Sequence, residues 1–471
     1  MNARDSRLLK IALAWLASLV ALPPAIAGPP NIVFLLADDM RPDAMGAFGH
    51  PVVRTPHLDS LVRDGAAFTR AIAGYPICHV SRAEIFTGRS AFRTGVQYRG
   101  NRIEPGLALW PETFRKAGYR TWFSGKWHTD GQPTQRGFEA ANGLFSSGGG
   151  RRGAEARDHA GRAATGYTGW TFKAPDGRAE IEKGTGLTPD TDRFIADGAI
   201  ELIHGRPREP FFLQVSFTGP HDPRIWPRGY ENRHAAESIP LPKNFAPQHP
   251  FDHGNVGGRD EVLLALPRDP AEVRAELAVY YAVIENLDEQ VGRILAALRE
   301  IGALDNTIVI FASDHGLALG SHGLIGKQNM YEHTIGVPLL MRGPGIPRGG
   351  RFTAQCYLRD LFPTTCELAR IAIPATVESR SLAPLFADAT RAPYPAVFGC
   401  FTDTQRMIRD DRWKLIWYPK LVRCQLFDVV SDPDELHDLA SESPHVERVS
   451  ALKKRLETWL KANGDPLFDV R

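Results

Sequence analysis

The chain has 471 residues, 43% of them apolar and 23% charged, the balance of a soluble globular protein too long for one ordinary core. Its 56 lysines and arginines nearly cancel 54 acidic residues, leaving a net charge of +2. That excludes a general nucleic-acid binder but leaves room for a local basic pocket.

The N-terminus reads as an export signal. Arg4, Arg7 and Lys10 precede an apolar run from Ile11 to Leu22, and Ala25-Ile26-Ala27 supplies a cleavage site before Gly28. The run is too short for a comfortable membrane span. Residues 1–27 are therefore expected to be removed, leaving a periplasmic or secreted protein with no stable membrane span.

Asn31 to Leu36 is a continuous apolar run that leads into Asp38 and Asp39. It reads as a buried strand with two carboxylates at its C-terminal end, where ligands bind in open α/β sheets. A capped helix from about His57 and a short strand from Ala66 to Ala71 follow. The stretch Tyr75 to Arg89 comes next, Y-P-I-C-H-V-S-R-A-E-I-F-T-G-R. It places Cys78 just before a short helical pattern, with Ser81 as a cap, Arg82 in the first turn and Gly88 as the stop. An anion at such a helix start meets free N–H groups, and Arg82 adds a fork suited to oxyanions.

Further helices are expected over Pro111–Ala117, Asp190–Ile203, Ala271–Ile301 and Asp360–Ala369. Buried strands are expected over Tyr119–Ser124, Pro210–Phe217, Thr307–Ala312 and Val337–Met341. Residues 140–187 show no clear period and read as loop, and residues 223–270 as an ordered excursion. Gly125-Lys126-Trp127-His128, Gly219-Pro220-His221-Asp222-Pro223 and Ser313-Asp314-His315-Gly316 each follow a strand, and Gly326-Lys327-Gln328-Asn329 comes after the last of them. Beyond about Pro374, short alternating runs at 405–409, 412–418 and 425–429 read as antiparallel strands, closed by a helix over 446–462.

Strands alternating with helices imply an α/β fold, a mostly parallel sheet with helices on both faces and a small antiparallel sheet in the tail. Three carboxylates, Asp38, Asp39 and Asp314, would then meet at one rim. They repel unless a cation sits between them. Oxygen-rich ligation suits calcium or magnesium. Of the remaining cysteines, Cys356, Cys366, Cys400 and Cys424 are equally consistent with two disulfides or four buried thiols.

The Tyr75–Arg89 stretch resembles the signature of the sulfatase family, in which C-x-P-S-R precedes T-G-R. This chain departs from it at Val80, where the family usually has Pro, sometimes Ala. The resemblance covers nearly the whole mature chain and implies an alkaline-phosphatase-like catalytic domain over 28–374 with a C-terminal α+β subdomain over 375–471. It implies that Cys78 is oxidised to formylglycine by a formylglycine-generating or anaerobic sulfatase-maturating enzyme. The hydrated aldehyde then attacks the sulfate sulfur. It implies metal ligation by Asp38, Asp39, Asp314, His315 and residue 78, usually of calcium, with magnesium or manganese left open because His315 brings nitrogen. By the same resemblance Lys126, His221 and Lys327 contact sulfate or leaving oxygens, and Arg82 and His128 orient the nucleophile. His221 is favoured as the proton donor over Lys327. Arg224, His253, His322 and His333 are further candidates for the substrate pocket. The texture is closest to iduronate-sulfatase-like and bacterial glycan sulfatases, so a sulfated carbohydrate is the expected substrate. A phosphonate monoester or phosphodiester hydrolase is the rival reading. A sulfated-glycan-binding protein without turnover is the reading if Cys78 stays a thiol.

Overall fold

The structure, a computed structural model, describes residues 28–96, 100, 102–148 and 156–468. The expected export signal, residues 1–27, lies outside the described residues. Among those residues no helix is long and apolar enough to cross a membrane.

The centre is β1 (Asn31–Ala37), buried at every position. Its even residues Ile32, Phe34 and Leu36 point into one core, and its odd residues Val33, Leu35 and Ala37 into another. That is the period-two alternation of a strand covered on both faces. The odd side packs against α1 (Pro56–Asp64), α4 (Thr191–His204) and the 31-residue α5 (Pro270–Glu300). The even side packs against α2 (Cys78–Thr87), α3 (Trp110–Lys116) and α7 (Leu361–Leu368).

Eight more strands complete the sheet: β2 (Ala66–Phe68), β4 (Arg120–Lys126), β5 (Ala140–Ser147), β6 (Trp170–Lys173), β7 (Phe211–Ser216), β8 (Thr307–Ser313), β9 (Leu339–Arg342) and β10 (Gly350–Phe352). Their order is β10-β2-β9-β8-β1-β7-β4-β5-β6. β1 lies parallel to β7 and β8, and β4 is parallel to β7 and β5. β9 runs antiparallel to β8 and β6 antiparallel to β5, so the sheet is mixed but mostly parallel. β3 (Ala71–Ile72) and β11 (Cys356–Tyr357) form a separate short pair. α6 (Glu332–Ile335) and α8 (Ala383–Ala387) are single short turns of helix.

Residues 140–187 differ from the loop expected there, because β5 and β6 extend the sheet. Their sequence hides it: β5 reads A-A-N-G-L-F-S-S, with half-buried small residues and no continuous apolar run.

The tail holds β12 (Val397–Phe401), β13 (Gln405–Arg409), β14 (Trp413–Tyr418) and β15 (Arg423–Asp428) in one antiparallel sheet. Met407, Ile416 and Phe427 on one face pack against Val80 and Ala83 of α2 and against Tyr331. Ile408, Leu415 and Leu426 on the other are covered by Leu452, Leu456 and Leu460 of α9 (Val446–Ala462). The small sheet thus leans on the helix that begins at Cys78. All five cysteines are free thiols, so the disulfide alternative is not realised.

One glycine fixes the strand that delivers Lys126. Gly125 has φ of 101°, and a Cβ there would lie 2.0 Å from the Ser216 carbonyl oxygen on neighbouring β7. Gly125→Ala is expected to destabilise the fold by about 2–4 kcal/mol through combined strain and overlap. Urea unfolding midpoints of the two proteins check this, and a parental midpoint would contradict the close β4–β7 approach.

Candidate active site

The C-terminal ends of β1, β4, β7 and β8 open onto one rim, and the start of α2 faces them. Ile77 is the extended residue before α2, and Cys78 is its first helical residue, 3% exposed. Ser81 is not the cap expected from the sequence. It lies inside the first turn, and its hydroxyl donates to the Asp314 carbonyl at 2.7 Å, tying α2 to the end of β8. Gly88 ends the helix in the left-handed region, as expected, at φ 65°.

Around Cys78 the structure gathers every group that the sequence motifs singled out for chemistry. Asp38 Oδ1 accepts from Cys78 Sγ at 3.2 Å, and His315 Nε2 lies 3.4 Å from the same sulfur. Lys327 Nζ sits 2.8 and 3.1 Å from the two Asp39 oxygens and 3.5 Å from Cys78 Sγ. Lys126 Nζ donates to Asp38 Oδ2. Arg82 grips Asp314 Oδ2 with Nε and Nη2, each at 3.0 Å. His128 is half-buried, its ring 5.5 Å from those of His79 and Trp170. His221 Nε2 lies 3.9 Å from Asp39 Oδ2, and its Nδ1 lies 3.1 Å from Asp222 Oδ1.

Donor atoms of Asp38, Asp39, Cys78 and His315 all lie within 4.8 Å of one another. Asp314, the fifth expected ligand, is turned toward Arg82, though its Oδ1 is 3.5 Å from His315 Nε2. The donor set fits a divalent cation. Two buried adjacent carboxylates need positive charge, and Lys126 and Lys327 supply it here.

The same crowding sets the protonation states. Burial pushes the Cys78 thiol up, but Lys126, Lys327 and His315 outweigh it and hold it well below the usual thiol range. Burial and the Cys78 charge raise Asp38, yet Lys126, His221 and Arg82 keep it an anion. Burial together with the Asp38 charge raises Asp314. For His221 burial opposes charge, but Asp39 and Asp222 prevail and the imidazole is raised. Burial drives His128 down to about 4, so that ring is neutral.

Of the four candidate pocket residues, Arg224 lines a small cleft together with His221, and the other three have ring partners of their own. Arg224 is 3% exposed, paired with Glu276 beneath Tyr280. His322 stacks on Tyr331 at 3.9 Å and 6°, with His333 stacked 5.4 Å from it. His253 is 1% exposed beside His249, and among the described residues neither of its ring nitrogens has a hydrogen-bond partner.

Two contributors escaped the sequence. Tyr167 donates its hydroxyl to Asp38 Oδ2 and sets its ring 4.8 Å from His221. Arg259 holds Asp222 through both guanidinium nitrogens, 2.9 Å at Nη2. Both lie in stretches without period or motif, and only the tertiary fold brings them in.

The fold and this rim of cations about a buried nucleophile and carboxylate pair define a hydrolase for tetrahedral oxyanion esters. A sulfatase family model matches residues 30–371, and an N-sulphoglucosamine sulphohydrolase C-terminal model matches residues 320–462. An arylsulfatase of Clostridium perfringens is 31% identical, over 93% of this chain and 96% of that protein. Two solved structures show the same fold. One, in complex with its substrate D-glucosamine-2-N,6-O-disulfate, has a TM-score of 0.73 at 22% identity, covering 93% of this chain and 99% of that one. The phosphonate monoester hydrolase of Agrobacterium radiobacter has a TM-score of 0.76 at 23% identity, covering 92% and 96%. The chain belongs to the sulfatase family and is a sulfuric ester hydrolase.

Proposed function

We propose that this enzyme removes O-sulfate groups from a sulfated carbohydrate, after export directed by residues 1–27. The convergence of Lys126, Lys327, Arg82 and His221 on residue 78 carries the reading. The C-terminal match to an N-sulphoglucosamine sulphohydrolase model and the disulfated glucosamine held by one structural neighbour support a sugar as the substrate. Residues 28–374 would perform the reaction, with 375–471 buttressing the helix that starts at residue 78.

Cys78 Sγ stands where the hydroxyl oxygen of a hydrated formylglycine would lie. That group would supply the nucleophile, and calcium, or magnesium or manganese, held by Asp38, Asp39, Asp314 and His315 would neutralise charge beside it. The chain's own side chains do the rest. Lys126 and Lys327, both buried, present ammonium groups where the sulfuryl oxygens gather charge, in a site that excludes water. Arg82 fixes Asp314, and neutral His128 stands beside residue 78.

The leaving alkoxide needs a proton. His221 is suited to give it. Asp222 holds Nδ1, Arg259 holds Asp222, and Nε2 is left facing the site. Lys327 is the weaker candidate, because burial is outweighed by Asp39 and Cys78 and its ammonium is held well above its usual range. An ammonium held that tightly is a poor acid.

The likeness to a phosphonate monoester hydrolase fold keeps one rival reading. Aryl sulfate turnover, measured beside an aryl phosphodiester and a phosphonate monoester, decides between them. The expected kcat/KM is higher for the sulfate by at least about a hundredfold, the scale of one well-placed charge interaction. A strong diesterase with weak sulfate turnover would overturn the assignment.

A further inference from the structure

Asp38 is the most heavily contacted carboxylate of the site, and its two oxygens are treated differently. Oδ1 faces Cys78 at 3.2 Å. Oδ2 receives two donors, the ammonium of Lys126 and the phenol of Tyr167. Those donors are not equivalent once a dication is bound. A lysine ammonium is repelled by the metal and attracted to the incoming sulfate. A neutral phenol is neither. A tyrosine phenol is protonated at neutral pH and can donate.

We propose that Tyr167 is a positioning residue, holding Asp38 through Oδ2 so that Oδ1 alone is presented to the metal and to residue 78. The proposal rests on the reading that Asp38 ligates a divalent cation. A ligating carboxylate fixed by an outer hydrogen bond binds its metal more tightly than a free rotor does. Tyr167 is well built for that duty. It is 8% exposed, its ring is wedged 5.1 Å from Trp170 and 5.9 Å from Phe145, and its carbonyl accepts from the Trp170 amide at 3.0 Å. The Lys126 ammonium lies 5.0 Å above its ring and the His221 ring 4.8 Å away. One side chain therefore sets a carboxylate and separates two cationic groups delivered by different strands.

Tyr167→Phe removes the hydroxyl and keeps the ring. In the matured, metal-stripped protein, thermal midpoints are followed as calcium chloride is added, and aryl sulfate kinetics are measured at saturating calcium. The calcium concentration giving half of the thermal shift is expected to rise at least about tenfold, with KM changed by less than about twofold. The metal-free midpoint should stay within a few degrees of the parent. A Phe variant with the parental calcium half-point overturns the proposal, whatever its activity. Absence of any calcium-dependent shift in the parent would instead remove the metal role of Asp38 itself, so the two failures are distinguishable.

Discussion

Cys78→Ala is expected to lower aryl sulfate turnover by at least about 10⁴-fold while leaving the fold intact, because alanine leaves no thiol to be converted to the proposed formylglycine, whose hydrate oxygen would be the nucleophile. The fold should survive. Val80, Ala83, Ile85 and Phe86 anchor α2 in two cores, and the Cys78 side chain contributes polar contacts rather than packing. The companion measurement is the mass of the peptide spanning residue 78 in active preparations. An aldehyde in place of the thiol is expected. A thiol in fully active protein would contradict the mechanism, and a thiol in inactive protein that still binds sulfated glycan would favour the binding-protein reading. Val80 does not disturb the folded site, since it is fully buried against the small sheet. Its departure from the family pattern would bear on recognition of the chain by the oxidising enzyme that the proposed function requires.

Lys327→Met should reduce kcat/KM by about 10²–10³-fold at saturating metal, the usual loss when one preorganised charge is removed from a dry transition-state site. Methionine keeps the length and apolar stem of the side chain, so packing changes little. Lys327 is 2% exposed and reaches both Asp39 and residue 78, which places it to follow charge on both sides of the reacting bond. Without it Asp39 loses its nearest counter-charge. The variant should therefore depend more steeply on added calcium for thermal stability than the parent does. Activity within a few-fold of the parent would remove Lys327 from the sulfate-binding set.

Where one physical signal dominates, the sequence is easily read. β1 and β8 carry continuous apolar runs and β7 one broken only by Gln214, because both their faces are covered, and α5 and α9 carry long amphipathic periods. β5 is half-buried and mixes small and polar residues, β6 has only four residues, and Gly399 interrupts the short run of β12. The site divides the same way. Asp38, Asp39, Asp314, His315, Lys126 and His221 sit at or just beyond strand ends, where chain direction alone sends them to one rim. Tyr167 and Arg259 reach that rim from irregular segments whose course depends on packing. His322 and His333 looked available in sequence, but they form a stack with Tyr331, a use of imidazole as a flat apolar plate that no spacing discloses.

The burial of α2 has a consequence for biogenesis. Cys78 is 3% exposed, Val80 and Ala83 are inaccessible, and the tail sheet is clamped across them. An oxidase that grips peptide backbone on both sides of its target cannot do so in the finished molecule. Under the proposed maturation, conversion of the thiol would have to precede chain collapse, on the nascent polypeptide. A copy that folded first would keep its thiol. Specific activity would then vary with the ratio of oxidase supply to synthesis rate.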